Sequence, residues 1–199
     1  MAGQGSTARR SRPTTTKCIA AALLAMVVVV AIIVILWLTV RPSKPLRMSV
    51  DHATVTGFNF TSGGALNGTF DVTLRAYNRN KRAAVSYGPI EVGVWYDGEF
   101  IAGAVVLPGG FDQPPRNETR IDVAAPAVAG ALPRGLEAAM KKDRTDGKLP
   151  VEVHVRAKAW FRYGMVKTRR YTVRASCSPT VIVFSSPSSF DRVNCHVHI

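Results

Sequence analysis

Cys195-His196-Val197-His198 has the composition of a metal site. On a strand, side chains alternate between faces, so imidazoles at i and i+2 share one face and can chelate a cation together with a thiolate. A carboxylate or further ligand beside them is not evident, and Cys195 has a competing partner in Cys177. The segment therefore reads as a solvated strand, and no metal is assigned. His52 and His154 read as exposed strand residues, and Asp143 and Asp146 as residues closing a helix and a turn. No Walker loop, G-x-G-x-x-G after a strand, H-E-x-x-H, G-x-S-x-G or C-x-x-C occurs; the common nucleotide, zinc-protease and hydrolase chemistries are thus unsupported. The glycine pairs at 63–64 and 109–110 read as turns. No catalytic residue and no cofactor is assigned, and the protein reads as non-enzymatic.

Two kinds of covalent chemistry remain. Asn59-Phe60-Thr61, Asn67-Gly68-Thr69 and Asn117-Glu118-Thr119 are N-glycosylation sequons at Asn59, Asn67 and Asn117, usable in a secretory compartment. Cys177 and Cys195 lie on neighbouring predicted strands with 17 residues between them, where they form either a disulfide or two buried thiols. Cys18 stands apart, as an apolar filler or a site of S-palmitoylation. Ala2 excludes ordinary N-myristoylation.

The net charge of +13 raises the question of a nucleic-acid partner, and the placement of the charge answers it. Seven basic residues and no acid fall within residues 1–47, and the 19 basic residues beyond exceed the 13 acids by only 6. Much of the excess thus brackets an apolar segment, as an anchor to anionic headgroups does. That segment runs from Cys18 to Leu38 with no charged side chain. At about 1.5 Å per residue, Ile19 to Val40 spans roughly 33 Å, enough for a bilayer core of about 30 Å. It is longer than the apolar part of a signal peptide, lacks a polar face, and ends at Trp37 and Arg41-Pro42. The expected organisation is a disordered basic cytosolic tail (1–17), a transmembrane helix (18–40), a juxtamembrane linker (41–47) and one domain (48–199). Four basic residues before the helix and three after it barely separate the two orientations. The sequons and the cysteine pair favour a domain outside the cell.

Within the domain the hydrophobic period is two. Phe70, Val72, Leu74 and Ala76 alternate with polar residues, as do Ile90, Val92, Val94 and Tyr96 before Asp97-Gly98, a hairpin signal. Further strands are expected over Phe100 to Leu107, around Ile121-Val123, over Val151 to Trp160 and around Tyr171 and Val173, with a last pair through Val181-Ile182-Val183 and Val193 to Val197. Only Pro133 to Arg144 reads as helical. The fold class is an antiparallel β-sandwich of the fibronectin or immunoglobulin type, with one short helix, behind a single transmembrane helix. Trp95, Trp160 and Phe161 read as core or sheet-face packing, with a ligand groove as the alternative. If Val151, Val153, Val155, Ala157 and Ala159 point inward, Arg156, Lys158 and Arg162 point outward, joined on that face by Arg170 and Arg174 of the next strand. Such a surface is solvated, has acids from another strand nearby, or is kept for an acidic partner, an acidic wall polysaccharide or anionic lipid headgroups.

Several segments, in this order, form a family pattern over about residues 17–199: the anchor ending in Trp37, Arg41-Pro42 and Lys44-Pro45; Ala76-Tyr77-Asn78-Arg79-Asn80; Val94-Trp95-Tyr96-Asp97-Gly98; Leu107-Pro108 with Phe111-Asp112-Gln113; Asp146-Gly147-Lys148-Leu149-Pro150-Val151; Arg162 with Gly164; and Cys177 and Cys195. The pattern resembles the plant NDR/HIN-like membrane proteins, whose ectodomain is of the late embryogenesis abundant type-two class. Arg79 stands where the family has proline, and Gly109-Gly110 where a second proline follows Pro108. The resemblance implies a fibronectin-like sandwich, plasma-membrane residence as a single-pass protein, and a role in pathogen defence or stress response without known catalysis. Two functions fit: a membrane-tethered module that binds a protein or other partner, and a lipid-binding or stress-protective domain. A deep apolar cavity between the sheets favours the second, and a filled core the first.

Overall fold

The computed structural model describes residues 14–40, 46–128, 130–184 and 190–199. Most of the basic tail and the linker residues Arg41, Pro42, Lys44 and Pro45 lie outside the described residues, as does the side chain of Trp37. The chain divides into two compact units, Met1–Arg41 and Pro42–Ile199.

The first unit holds one helix, α1 (Thr14–Val40), which begins four residues ahead of Cys18, so the stretch assigned to the tail is helical from Thr14 onward. A run of Ala, Leu, Ile and Val pairs its interior backbone groups within the helix itself, and this helix is apolar on every side. The described side chains over 17–35 are all exposed.

The second unit is an antiparallel β-sandwich. Its strands are β1 (Arg47–Phe60), β2 (Leu66–Tyr77), β3 (Ala84–Tyr96), β4 (Glu99–Val106), β5 (Phe111–Gln113), β6 (Glu118–Pro126), β7 (Lys148–Tyr163), β8 (Val166–Lys167), β9 (Tyr171–Val183), β10 (Val193–Asn194) and β11 (His196–His198). One four-stranded sheet runs in the order β10-β1-β2-β6; the seven-stranded sheet runs β11-β9-β7-β3-β4, with β5 on β3 and β8 on β7. Alternation does the folding. Phe70, Val72, Leu74 and Ala76 of β2 and Ile90, Val92, Val94 and Tyr96 of β3 are buried in a single core cluster. Asp97 and Gly98, both at positive φ, turn β3 into β4, as a two-residue hairpin loop requires.

One strand was not expected and one assignment changes. The long β1 breaks the period of two with irregularities between Val50 and His52 and between Thr56 and Asn59, so its apolar residues do not alternate regularly. Val181 to Val183 and Val193 to Val197 are not a pair: the former closes β9 against Lys148–Val151 of β7. The latter divides, with β10 on β1 and β11 on β9. The reason is that Cys195 interrupts the segment at the junction of the two sheets, so each half completes a different one.

The helix α2 (Arg134–Thr145) follows Pro133 and buries Leu136 and Met140. Tyr96 donates its hydroxyl hydrogen to Asp143 Oδ2 at 2.7 Å, joining the end of β3 to this helix. At the opposite end of β3 the turn over 78–83 is held by a buried polar node. Asn78 Nδ2 donates to the carbonyls of Ala83 (2.8 Å) and Pro114 (3.0 Å). Gln113 Nε2 donates to Ala76 O at 2.8 Å, Asn117 O at 3.1 Å and Thr119 Oγ1 at 3.1 Å. Buried amides need such partners; the family-like segments around Asn78 and Gln113 are thus structural pins.

Candidate functional site

The outer face of the seven-stranded sheet carries the site. Leu149, Val151, Val153, Val155, Ala157, Ala159 and Phe161 of β7 are buried, and Glu152, His154, Arg156 and Lys158 point out. In register, Arg156 faces Arg174 of β9 on one side and Glu91 of β3 on the other. Lys158 faces Thr172, and His198 of β11 faces Arg174. Among the described residues, Arg156, Lys158 and Arg174 have no ion-pair partner. Like charges directly opposite one another are unfavourable.

The four-stranded sheet shows the contrast. On its outer face Arg75 pairs with both Asp51 and Glu118, Arg192 meets Asp51 at 2.9 Å, and Arg120 meets Asp122 at 3.1 Å. Thr73 donates to Asp122 at 2.8 Å, and this bond and Arg120 hold the Asp122 carboxyl below its usual range. There Arg75 stands opposite Arg120, yet both have acid partners, whereas Arg156 and Arg174 have no ion pair among the described residues.

The five predicted basic residues divide into two groups. Arg156, Lys158 and Arg174 share the face. Arg162, at the end of β7, is half-buried and pairs with Asp112 at 3.4 Å. Arg170 precedes β9 and lies 5.3 Å from the Trp160 ring centroid, and Arg169 lies 5.2 Å from that of Tyr171, in cation–π geometry. Trp160 is thus a platform for an arginine, while Phe161 is core and Trp95 sits on the outer face. The sequence allowed for acids from another strand but did not name them; Glu91 and Asp112 come from strands distant in the chain, and only the fold brings them to Arg156 and Arg162.

Asn59, Asn67 and Asn117 are exposed, and Asn59 and Asn67 stand opposite each other across β1 and β2. Cys177 and Cys195 are joined, with Sγ atoms 1.99 Å apart, so Cys195 does not offer a thiolate beside His196 and His198. Among the described residues no group of three or more His, Cys, Asp and Glu side chains is placed to hold a metal ion.

The family model described as late embryogenesis abundant protein matches residues 73–177, more than half of the chain, from the middle of β2 to Cys177 in β9. The chain belongs to the late embryogenesis abundant protein family. Within this family it is similar to NDR1/HIN1-like protein 10 of Arabidopsis thaliana, 28% identical over 72% of this chain and 63% of that one. An uncharacterized Arabidopsis thaliana protein is 29% identical over 83% of this chain and 75% of its own length. NDR1/HIN1-like protein 3 of the same plant is 26% identical over 82% and 71%. A solved protein from Archaeoglobus fulgidus superposes on 64% of this chain and 94% of its own, with a TM-score of 0.31 and 9% identity. For this late embryogenesis abundant chain, the matched segment includes the whole of β3 and β7, which carry Glu91, Arg156 and Lys158.

Proposed function

We propose that the protein is a single-pass plasma-membrane protein which holds a non-catalytic β-sandwich outside the cell and acts in plant defence or stress response by binding an acidic partner along β7 and β9. The observation carrying this reading is the opposition of Arg156 and Arg174 beside Lys158, without ion pairs among the described residues, on a molecule whose other sheet pairs Arg75 and Arg120, which also face each other, with acids. A partner that supplies anionic groups relieves that repulsion, and such a contact weakens as salt screens it. Membrane anchoring is supported by the length and apolar character of α1. The outward orientation is supported by basic residues ahead of it and by exposed sequons beyond it. The family resemblance supports the defence and stress roles.

The test is binding to pectate and to anionic liposomes at low and moderate salt, beside a variant with Arg156, Lys158, Arg170 and Arg174 changed to Ser. Salt-sensitive binding that the variant loses is the expected result, and equal binding by both proteins removes this face from the account. Orientation has its own assay, in which endoglycosidase shifts the mobility of the secreted-pathway product and Asn→Gln changes at 59, 67 and 117 abolish the shift. The second reading, a lipid-binding domain, gains nothing from the region between the sheets, where the two inner faces form one continuous packed cluster. A groove on the outer face is what favours it.

A further inference from the structure

The register of the seven-stranded sheet aligns Val105, Glu91, Arg156, Arg174 and His198 in one row across β4, β3, β7, β9 and β11. The adjacent row pairs Gly93 with Gly103 and continues through His154 and Ser176. Paired glycines in mid-strand leave a notch, and the Phe100 ring occupies it: a Cβ on Gly103 would come within 2.6 Å of Phe100 Cζ, and one on Gly93 within 3.1 Å of the same ring and of Trp95 Nε1. Trp95 closes one side of this floor, its ring centroid 5.5 Å from that of Phe100. Val105 and Val128 stand at the other margin. Phe100, Val105 and Val128 remain 43%, 61% and 45% exposed, an apolar cluster beside the charged row. Together with the Arg156 and Arg174 edge these residues enclose a groove of about 630 Å³, within the size range of small-ligand sites.

The groove is therefore two-sided. Its β3–β4 half is aromatic and aliphatic, and its β7–β9 half holds two guanidinium groups, with Glu91 across from Arg156 in register and not ion-paired with it. From Val105 to Arg174 is three strand spacings, about 14 Å, too long for a compact anion and suited to an extended one. We infer that this groove binds an amphipathic anion, a single acyl chain bearing a carboxylate or phosphate, with the chain over Phe100 and the anionic head on Arg156 and Arg174. Arginine suits that head because its fork matches the two oxygens of a carboxylate or phosphate. The inference deepens the proposed acidic-partner reading, sharing Arg156 and Arg174 with it, and adds an apolar half that a polysaccharide does not need.

The experiment uses the full chain in nanodiscs of neutral lipid, with dodecanoic acid carrying a terminal diazirine as the probe. After irradiation, the modified peptides are mapped by mass spectrometry. The expected result is modification within residues 95–106, competed by dodecanoate and not by its uncharged methyl ester. An Arg156→Ser/Arg174→Ser pair and, separately, Val105→Asp each reduce it about tenfold. Both variants alter exposed side chains, and an unchanged melting temperature checks that each remains folded. Dodecyl phosphate as a second competitor separates carboxylate from phosphate heads. Modification confined to α1, equal competition by the methyl ester, indifference to both variants, or protection of 99–106 by a second copy in a cross-linkable dimer would each overturn the inference. Because Val105→Asp leaves Arg156, Lys158, Arg170 and Arg174 in place, it retains pectate binding if the polysaccharide reading holds, so the two readings fail separately.

Discussion

Tyr96 is buried, 6% exposed, with its hydroxyl on Asp143. Burial first, and then that carboxylate, push its phenol above the ordinary range, and burial does the same to Tyr87. A phenol that keeps its proton more firmly in the folded state stabilises folding fully below the unfolded tyrosine pKa of about 10, and the advantage is lost as pH rises beyond it. Stability measured by urea denaturation is expected to fall from about pH 10 upward, and Tyr96→Phe to flatten part of that fall. At neutral pH the same change should cost about 1.5–3 kcal/mol, the range for a bond to a charged acceptor. A wild-type profile flat to pH 11 would remove the role assigned to burial. Gln113 offers a second case, since its amide satisfies two carbonyls and a hydroxyl. Gln113→Met keeps the volume and strands those groups, for an expected loss of about 2–4 kcal/mol in the same assay. Neither bond was visible in the sequence, where Tyr96 reads only as the last member of an apolar alternation and Gln113 only as part of a family-like segment.

Elements were legible where one periodicity ran uninterrupted. The alternation of β7 from Val151 to Phe161 and the Asp97-Gly98 turn are local signals that no distant contact had to supply. β1 was illegible because two irregularities shift its apolar residues between faces; the strand character of Val193 to Val197 was legible, but its division into β10 and β11 on different sheets was not, because two residues and three residues are too short to show which sheet each joins. The basic face was half legible for the same reason. Period two assigns Arg156 and Lys158 to the outside, but the positions of Arg162 and Arg170 depend on β5 and Trp160, which only the folded register brings near. Since Arg156 and Arg174 repel across β7 and β9, replacing Arg174 with Thr should stabilise the isolated protein slightly, by about 0.2–1 kcal/mol. The gain should shrink as salt is added. A destabilisation on chemical denaturation, at low salt, would mean that the arginine stem packs more than its charge repels.

At the scale of the molecule, the two sheets differ in what they do with charge and are fastened together late in the chain. β10 lies on β1 in one sheet, β11 lies on β9 in the other, and Cys195 between them is joined to Cys177. Non-reducing peptide mapping should recover residues 177 and 195 in one linked species, and two alkylatable thiols in the folded protein would refute the bond. With a sequence separation of 18, closing that loop is worth about 3 kcal/mol in the chain-entropy model, so reduction should lower the melting temperature. The fastening also sets how the protein carries load. β1 is the first strand after α1, and any pull arriving from a membrane anchor enters the sandwich at Arg47, along β1, which is gripped by β2 on one side and β10 on the other. Part of any tension held between that anchor and a partner on the β7–β9 face would cross from one sheet to the other through the Cys177–Cys195 link. In a single-molecule pulling measurement, with one handle ahead of residue 46 and the other on β9, the oxidised protein should yield at a higher force than the reduced one. The oxidised sandwich would then resist such a load better than the reduced one.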